Sequence, residues 1–119
     1  MTKFTLEYVL DNHGWASVKF SDLNATCQSA VSYLHDSLAQ LADMALELKR
    51  GLSDANAVFM DEPGETQFVV YVKSKTAFYE VREYRDWASW GMHSQDDYKV
   101  MLKGDCLTSR IVQQISTNL

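Results

Sequence analysis

Few side chains in this sequence could do covalent or metal chemistry. There are three histidines, His13, His35 and His93, and two cysteines, Cys27 and Cys106. No histidine stands three or four residues from another histidine or from a cysteine, the local spacing from which a zinc site is started. Cysteine–histidine nucleophilic catalysis would need Cys27 or Cys106 to meet a histidine across the fold. Cys106 falls near the start of the last expected helix, where the helix dipole would lower its pKa. Neither thiol has a glycine-rich elbow or an oxyanion signature beside it. Asp61, Glu62 and Glu65 surround a turn, and Asp96 and Asp97 precede a strand. Paired carboxylates can move protons or hold a divalent cation. Here the acidic spacing of a calcium loop is missing, and glycines never form a phosphate-cradling series. The expectation is no catalytic residue, no metal and no cofactor.

What the sequence does concentrate is recognition chemistry. Phe78 to Tyr98 reads FYEVREYRDWASWGMHSQDDY, with three tyrosines, two of the three tryptophans and five carboxylates against two arginines. Tyrosine and tryptophan give large contact area at low entropic cost, and surplus acid selects and steers a basic partner. Part of the stretch has a plainer role: Tyr79, Val81 and Tyr84 can fill a core while Glu80, Arg82, Glu83 and Arg85 pair across strands. Trp87, Trp90, Met92, Asp96 and Asp97 lie in a segment too polar for a core strand. Two tryptophans three apart there either pin the loop or present a binding hot spot. The expected partner-contact residues are Asp61, Glu62, Glu65, Glu83, Tyr84, Asp86, Trp87, Trp90, Asp96 and Asp97.

Composition bounds the rest. At 119 residues, 46% apolar and 23% charged, the chain is expected to be one globular domain spanning 1–119. Its formal net charge of -5, with lysines and arginines scattered, disfavours nucleic acid. The same charge also serves solubility. Two isolated cysteines fit a reducing compartment. The start Met1-Thr2-Lys3-Phe4-Thr5 lacks an export-signal pattern, and no apolar run approaches the ~20 residues that span a bilayer. The expected location is the cytoplasm, away from membranes.

These side chains must be positioned by elements whose periods are legible. Phe4, Leu6, Tyr8 and Leu10 alternate with Thr5, Glu7, Val9 and Asp11, and Ala16, Val18 and Phe20 alternate with Ser17, Lys19 and Ser21, so two strands are predicted. Asp11-Asn12-His13-Gly14 carries the turn chemistry between them, and Ser21-Asp22-Leu23-Asn24 ends the hairpin. Leu34, Leu38, Leu41, Ala45, Leu48 and Leu52 then form one apolar stripe along a helix of about five turns. Ser29 or Ser32 would cap it, Lys49 and Arg50 suit its C-terminal end, and Gly51 stops it. Ala57 to Met60 is short and apolar. Asp61-Glu62-Pro63-Gly64-Glu65 follows as a type II turn. Phe68, Val70 and Val72, and then Tyr79, Val81 and Glu83, mark two strands joined at Ser74-Lys75. Residues 87–97 read as a long loop with at most a short helical turn. Tyr98, Val100 and Leu102 form a last strand ending at Gly104-Asp105, and Leu107, Ile111, Ile115 and Leu119 a short helix. The order ββαββββα predicts a two-layer α+β domain, its largely antiparallel sheet of five to six strands packed on one long helix. Trp15 would point away from that helix, toward a side covered by the C-terminal helix or by a partner.

Tyr8, His13-Gly14-Trp15-Ala16, Ser21-Asp22, Tyr33-Leu34-His35-Asp36-Ser37-Leu38 and Asp61-Glu62-Pro63-Gly64-Glu65 together resemble small bacterial proteins of shared layout. Some of these are similar to immunity proteins, which neutralise toxins exchanged between bacteria. The likeness covers a little over half of the chain and departs after Trp87, where immunity proteins commonly vary to fit the cognate toxin. It implies a cytoplasmic protein that binds a basic toxin domain, often a nuclease, without performing chemistry. The rival expectation is a small-molecule or peptide binder whose cleft lies between the sheet and the 87–97 loop, lined by Trp87, Trp90 and His93.

Overall fold

The computed structural model describes residues 3–11, 15–32, 36–61 and 64–119. The turn residues Asn12, His13, Gly14 and Pro63, the stripe member Leu34, the histidine His35 and the acid Glu62 lie outside them. In chain order the elements are β1 (Thr5–Leu10), β2 (Trp15–Ser21), β3 (Thr26–Ser32), α1 (Ser37–Lys49), β4 (Asp54–Met60), β5 (Glu65–Lys73), β6 (Thr76–Tyr84), a 3-10 turn (Ala88–Trp90), β7 (Lys99–Leu107) and α2 (Thr108–Ser116). The class is α+β. The strands form two antiparallel sheets, β1-β2-β3 and β4-β5-β6-β7.

This corrects the expectation of one sheet on one long helix. Thr26–Ser32, read as the approach to the helix, is a third strand. Cys27 and Val31 are buried while Thr26, Gln28 and Ala30 are exposed, the period of a half-buried strand. The turn at Asp22 folds the chain back at once, its Oδ1 accepting the Asn24 and Ala25 amides. Ser29, proposed as a cap, shares a 2.8 Å hydrogen bond with Thr66 on the other sheet. The helix begins only at Ser37, where Asp36 Oδ1 accepts the Ala39 amide. Its C-terminus behaves as expected. Gly51 takes φ +86, and the Gly51 and Leu52 amides return to Leu48 and Glu47. Leu41, Ala45 and Leu48 of the anticipated stripe are buried with Met44, whereas Leu52 is exposed.

The two inner faces share one apolar core. Phe4 stacks on Phe68 at 5.3 Å and tilts on Tyr79 at 4.7 Å, and Phe20 meets Phe59 at 5.7 Å and Phe68 at 5.1 Å. Each buried phenylalanine is worth ~1.5–3 kcal/mol in surface removed from water, with ~0.5–1.5 more per well-placed ring pair. Aromatic burial is therefore a substantial part of the attraction between the sheets.

The helices close strand edges as well as the core. Against β4, Ser37 Oγ donates to the Val58 carbonyl at 2.8 Å and Gln40 Oε1 accepts the Val58 amide at 2.6 Å. Against β1, Arg110 donates to the Phe4 carbonyl, Gln114 accepts the Leu6 amide, and Asn118 accepts the Tyr8 amide and donates to the Leu6 carbonyl. Backbone groups at Phe4, Leu6, Tyr8 and Val58 that a further strand would satisfy are satisfied by side chains, which blunts both edges at those positions. Trp15 stays 36% exposed. The C-terminal helix covers the β1 edge rather than the outward face on which Trp15 lies.

Candidate partner-binding surface

The segment between β6 and β7 departs from regular pairing but is densely fastened. The Trp87 indole N–H donates to the Asp61 carbonyl at 2.8 Å and the Gly64 carbonyl at 3.0 Å, tying the loop to the β4–β5 turn. Asp86 Oδ1 accepts the Trp87 amide at 2.7 Å. Gly91 at φ +75 ends the 3-10 turn, letting the Gly91 and Met92 amides return to Ala88 and Trp87. Beneath lies Glu65, 1% exposed. Its carboxylate accepts the Ser89 amide at 3.1 Å, the Ser89 hydroxyl at 2.9 Å and Gln67 Nε2 at 2.5 Å. Gln95 Nε2 donates to the Ala88 carbonyl, and the buried Tyr84 hydroxyl donates to the Gln95 carbonyl. His93 packs edge-on against Tyr84 and lies 3.1 Å from Asp97 Oδ2. The Arg82 guanidinium sits 4.4 Å over the Tyr98 ring and 2.7 Å from Glu80. Burial alone would lower the Arg82 pKa; the hydrogen bond and charge of Glu80 outweigh it and raise the value. For Tyr84, burial raises the pKa more than Arg82 lowers it.

This packing sorts the expected contact residues. Glu65 and Tyr84 are each 1% exposed, a correction to their placement among the surface contacts, because both are spent holding the loop from below. Trp87 is half-buried and acts as the pin. Trp90 packs edge-on against it at 4.8 Å and keeps 50% of its surface exposed, and Met92 keeps 63%. One tryptophan fastens and its neighbour projects, so the two readings of the pair divide between them.

Asp96, Asp97 and Glu83 are exposed, and Asp61 and Asp86 are half-buried. Glu83, Arg85, Asp97 and Tyr98 border one depression, and Asp61 and Glu83 share a second with Arg85, so acids distant in sequence form a continuous rim. Basic groups are interspersed: Arg85 lies 3.5 Å from Asp97 between strongly exposed groups, His93 lies 3.1 Å from the same carboxylate, and Lys99 stands across the ladder from Glu83 and lines the first depression. An exposed pair such as Arg85–Asp97 is worth ~0–1 kcal/mol, little enough for a partner's cation to compete with it.

Trp87 is bonded to the Asp61 and Gly64 carbonyls and His93 packs on Tyr84, while Trp90 rests on Trp87 with half of its surface exposed. Cys106 lies in β7 and not at the start of α2. Burial pushes its thiol up to about 11, although Arg110 pulls the other way, which reverses the expected lowering. Burial, with Glu83 adding, likewise raises Cys27 to about 11. Among the described residues no cluster of three or more histidine, cysteine or acidic side chains could hold a metal ion, and no helix is long and apolar enough to cross a membrane.

The sequence reading missed Gln67, Ser89 and Gln95. Strand alternation marks Gln67 only as belonging to the face opposite the core, and nothing local shows that a loop returns to cover it. Comparison with protein-family models, curated proteins and solved structures found no match.

Proposed function

We propose that this protein is an immunity protein that binds a basic toxin domain and neutralises it by occlusion, with no bond made or broken. One observation carries the reading. Trp90 and Met92 are held out to solvent on a loop fastened from beneath by Trp87, Glu65, Gln67 and Tyr84. A loop pinned this firmly has lost its conformational freedom before binding, so an exposed indole on it docks at little further entropic cost. The acids Glu83, Asp96 and Asp97 beside it supply the field that steers a cationic protein. The assignment of that partner as a toxin rests on the sequence resemblance from Tyr8 to Leu38 and at Asp61 to Glu65.

The test is binding to toxin domains encoded beside the gene. Trp90→Ala should weaken affinity about thirtyfold through faster dissociation, the scale of a ~2 kcal/mol hot spot. The double reversal Asp96→Lys, Asp97→Lys should slow association about tenfold and flatten its salt dependence. Unchanged affinity in the first variant, with unchanged association in the second, would remove this surface from the role.

A further inference from the structure

Four strand edges bound the two sheets, and three are guarded. That of β1 is closed by helix side chains at Leu6 and Tyr8, and that of β4 is capped by them at its midpoint, Val58. The β7 edge carries Lys99, Lys103 and Asp105, charges that oppose strand addition. Among the described residues the Gln28–Ala30 stretch of the β3 edge has neither device. Thr26-Cys27-Gln28-Ser29-Ala30-Val31-Ser32 holds no charge and no proline, and β3 pairs only with β2.

The register shows which backbone groups are spare. Asp22 N–H donates to the Ala25 carbonyl, so this pair is hydrogen-bonded. Alternation along the ladder then makes Phe20–Cys27, Val18–Ser29 and Ala16–Val31 the bonded pairs. The amides and carbonyls of Gln28 and Ala30 consequently point away from β2. A groove of about 470 Å³ is lined by Gln28 and Ala30 together with Asp61 and Glu83, and Ser29 and Thr66, which also line it, are hydrogen-bonded to each other at 2.8 Å. Among the described residues Arg85 is the one cation lining it, and Glu83 is exposed.

We propose that β3 is a docking edge that accepts an extended basic segment of a partner protein as a fourth strand of the sheet. The segment pairs its backbone with Gln28 and Ala30, and its alternate side chains reach Glu83. The charge of the groove selects a basic segment over a second copy of this acidic chain. The proposal rests on β3 and stands whether or not the Trp90 surface binds a toxin.

The experiment follows amide hydrogen exchange by NMR while the labelled protein is titrated with three synthetic heptapeptides. One alternates lysine and valine, one alternates glutamate and valine, and one is the lysine peptide with a central proline. In the free protein the Gln28 and Ala30 amides should exchange at least about tenfold faster than those of Leu6 and Tyr8, whose edge is closed. The lysine peptide should slow both amides, the glutamate peptide should bind about fivefold more weakly, and the proline peptide should have no effect. Glu83→Lys should reverse the charge preference, and Ala30→Pro should abolish the response. If Ala30→Pro fails to fold, Glu83→Lys alone decides. Trp90→Ala should leave the peptide response intact, which separates this result from that of the toxin test. Protection of Gln28 and Ala30 in the free protein would overturn the proposal. So would indifference to all three peptides, equal response to lysine and glutamate, or protection that rises with protein concentration as the chain pairs with itself.

Discussion

Replacing Glu65 with alanine attacks the loop from below without touching its surface. The carboxylate accepts three hydrogen bonds, two from Ser89 and one from Gln67, in a place 1% exposed to water. A hydrogen bond to a charged group is worth ~1.5–3 kcal/mol, and an abandoned buried donor costs ~1–3 kcal/mol. Loss of the acid also removes the cost of burying it, which cancels part of the sum. We expect Glu65→Ala to destabilise by about 3 kcal/mol, a midpoint about 12 °C lower for a chain of this length. Glu65→Gln keeps the shape and one acceptor, and rotation of the Gln67 amide can restore the remaining bonds, so its cost should stay near ~1 kcal/mol. Urea unfolding followed by circular dichroism gives both numbers. Hydrogen exchange at Ser89 reports whether the loop has been released ahead of global unfolding. The reasoning fails if Glu65→Ala lies within about 0.5 kcal/mol of the native protein while the Ser89 amide stays protected.

Gly64 faces a similar test from the backbone side. A Cβ there would stand 2.7 Å from the Tyr84 carbonyl oxygen, so Gly64→Ala should cost ~1–3 kcal/mol and blue-shifted Trp87 emission should be lost as its pin slackens. Asn118→Ala should cost ~1–2 kcal/mol and accelerate exchange of the Tyr8 amide, because that side chain closes both Tyr8 N–H and Leu6 C=O. The two thiols set a pH dependence. Cys27 and Cys106 ionise near 9 when unfolded but at about 11 when folded, so their contribution is complete below pH 9 and is lost as pH rises through 11. Unfolding free energies at a series of alkaline pH values should fall across that window, and less steeply in the Cys27→Ala, Cys106→Ala double variant. A thiol reagent at neutral pH should label neither residue until the protein unfolds.

The sequence by itself determined those elements whose local period or turn chemistry admits one reading. The β1–β2 alternation, the Ser74-Lys75 turn between β5 and β6, the Gly51 stop and the apolar spacing of Ile111 and Ile115 all express local periods or backbone constraints. The aromatic and acidic character of residues 78–98 was equally plain. Only the tertiary structure decided where the chain is a strand at Thr26–Ser32, since a serine-rich segment before a leucine stripe suits a helix approach as well as a strand. It also decided that the described strands divide into two sheets and that β1 and β4 meet helix side chains at their edges, since Gln114, Asn118, Ser37 and Gln40 find partners as far as 112 positions away. The division of labour between Trp87 and Trp90 has the same origin. Two indoles three residues apart are chemically identical, and only carbonyls delivered by a distant turn make one the pin and leave the other at the surface.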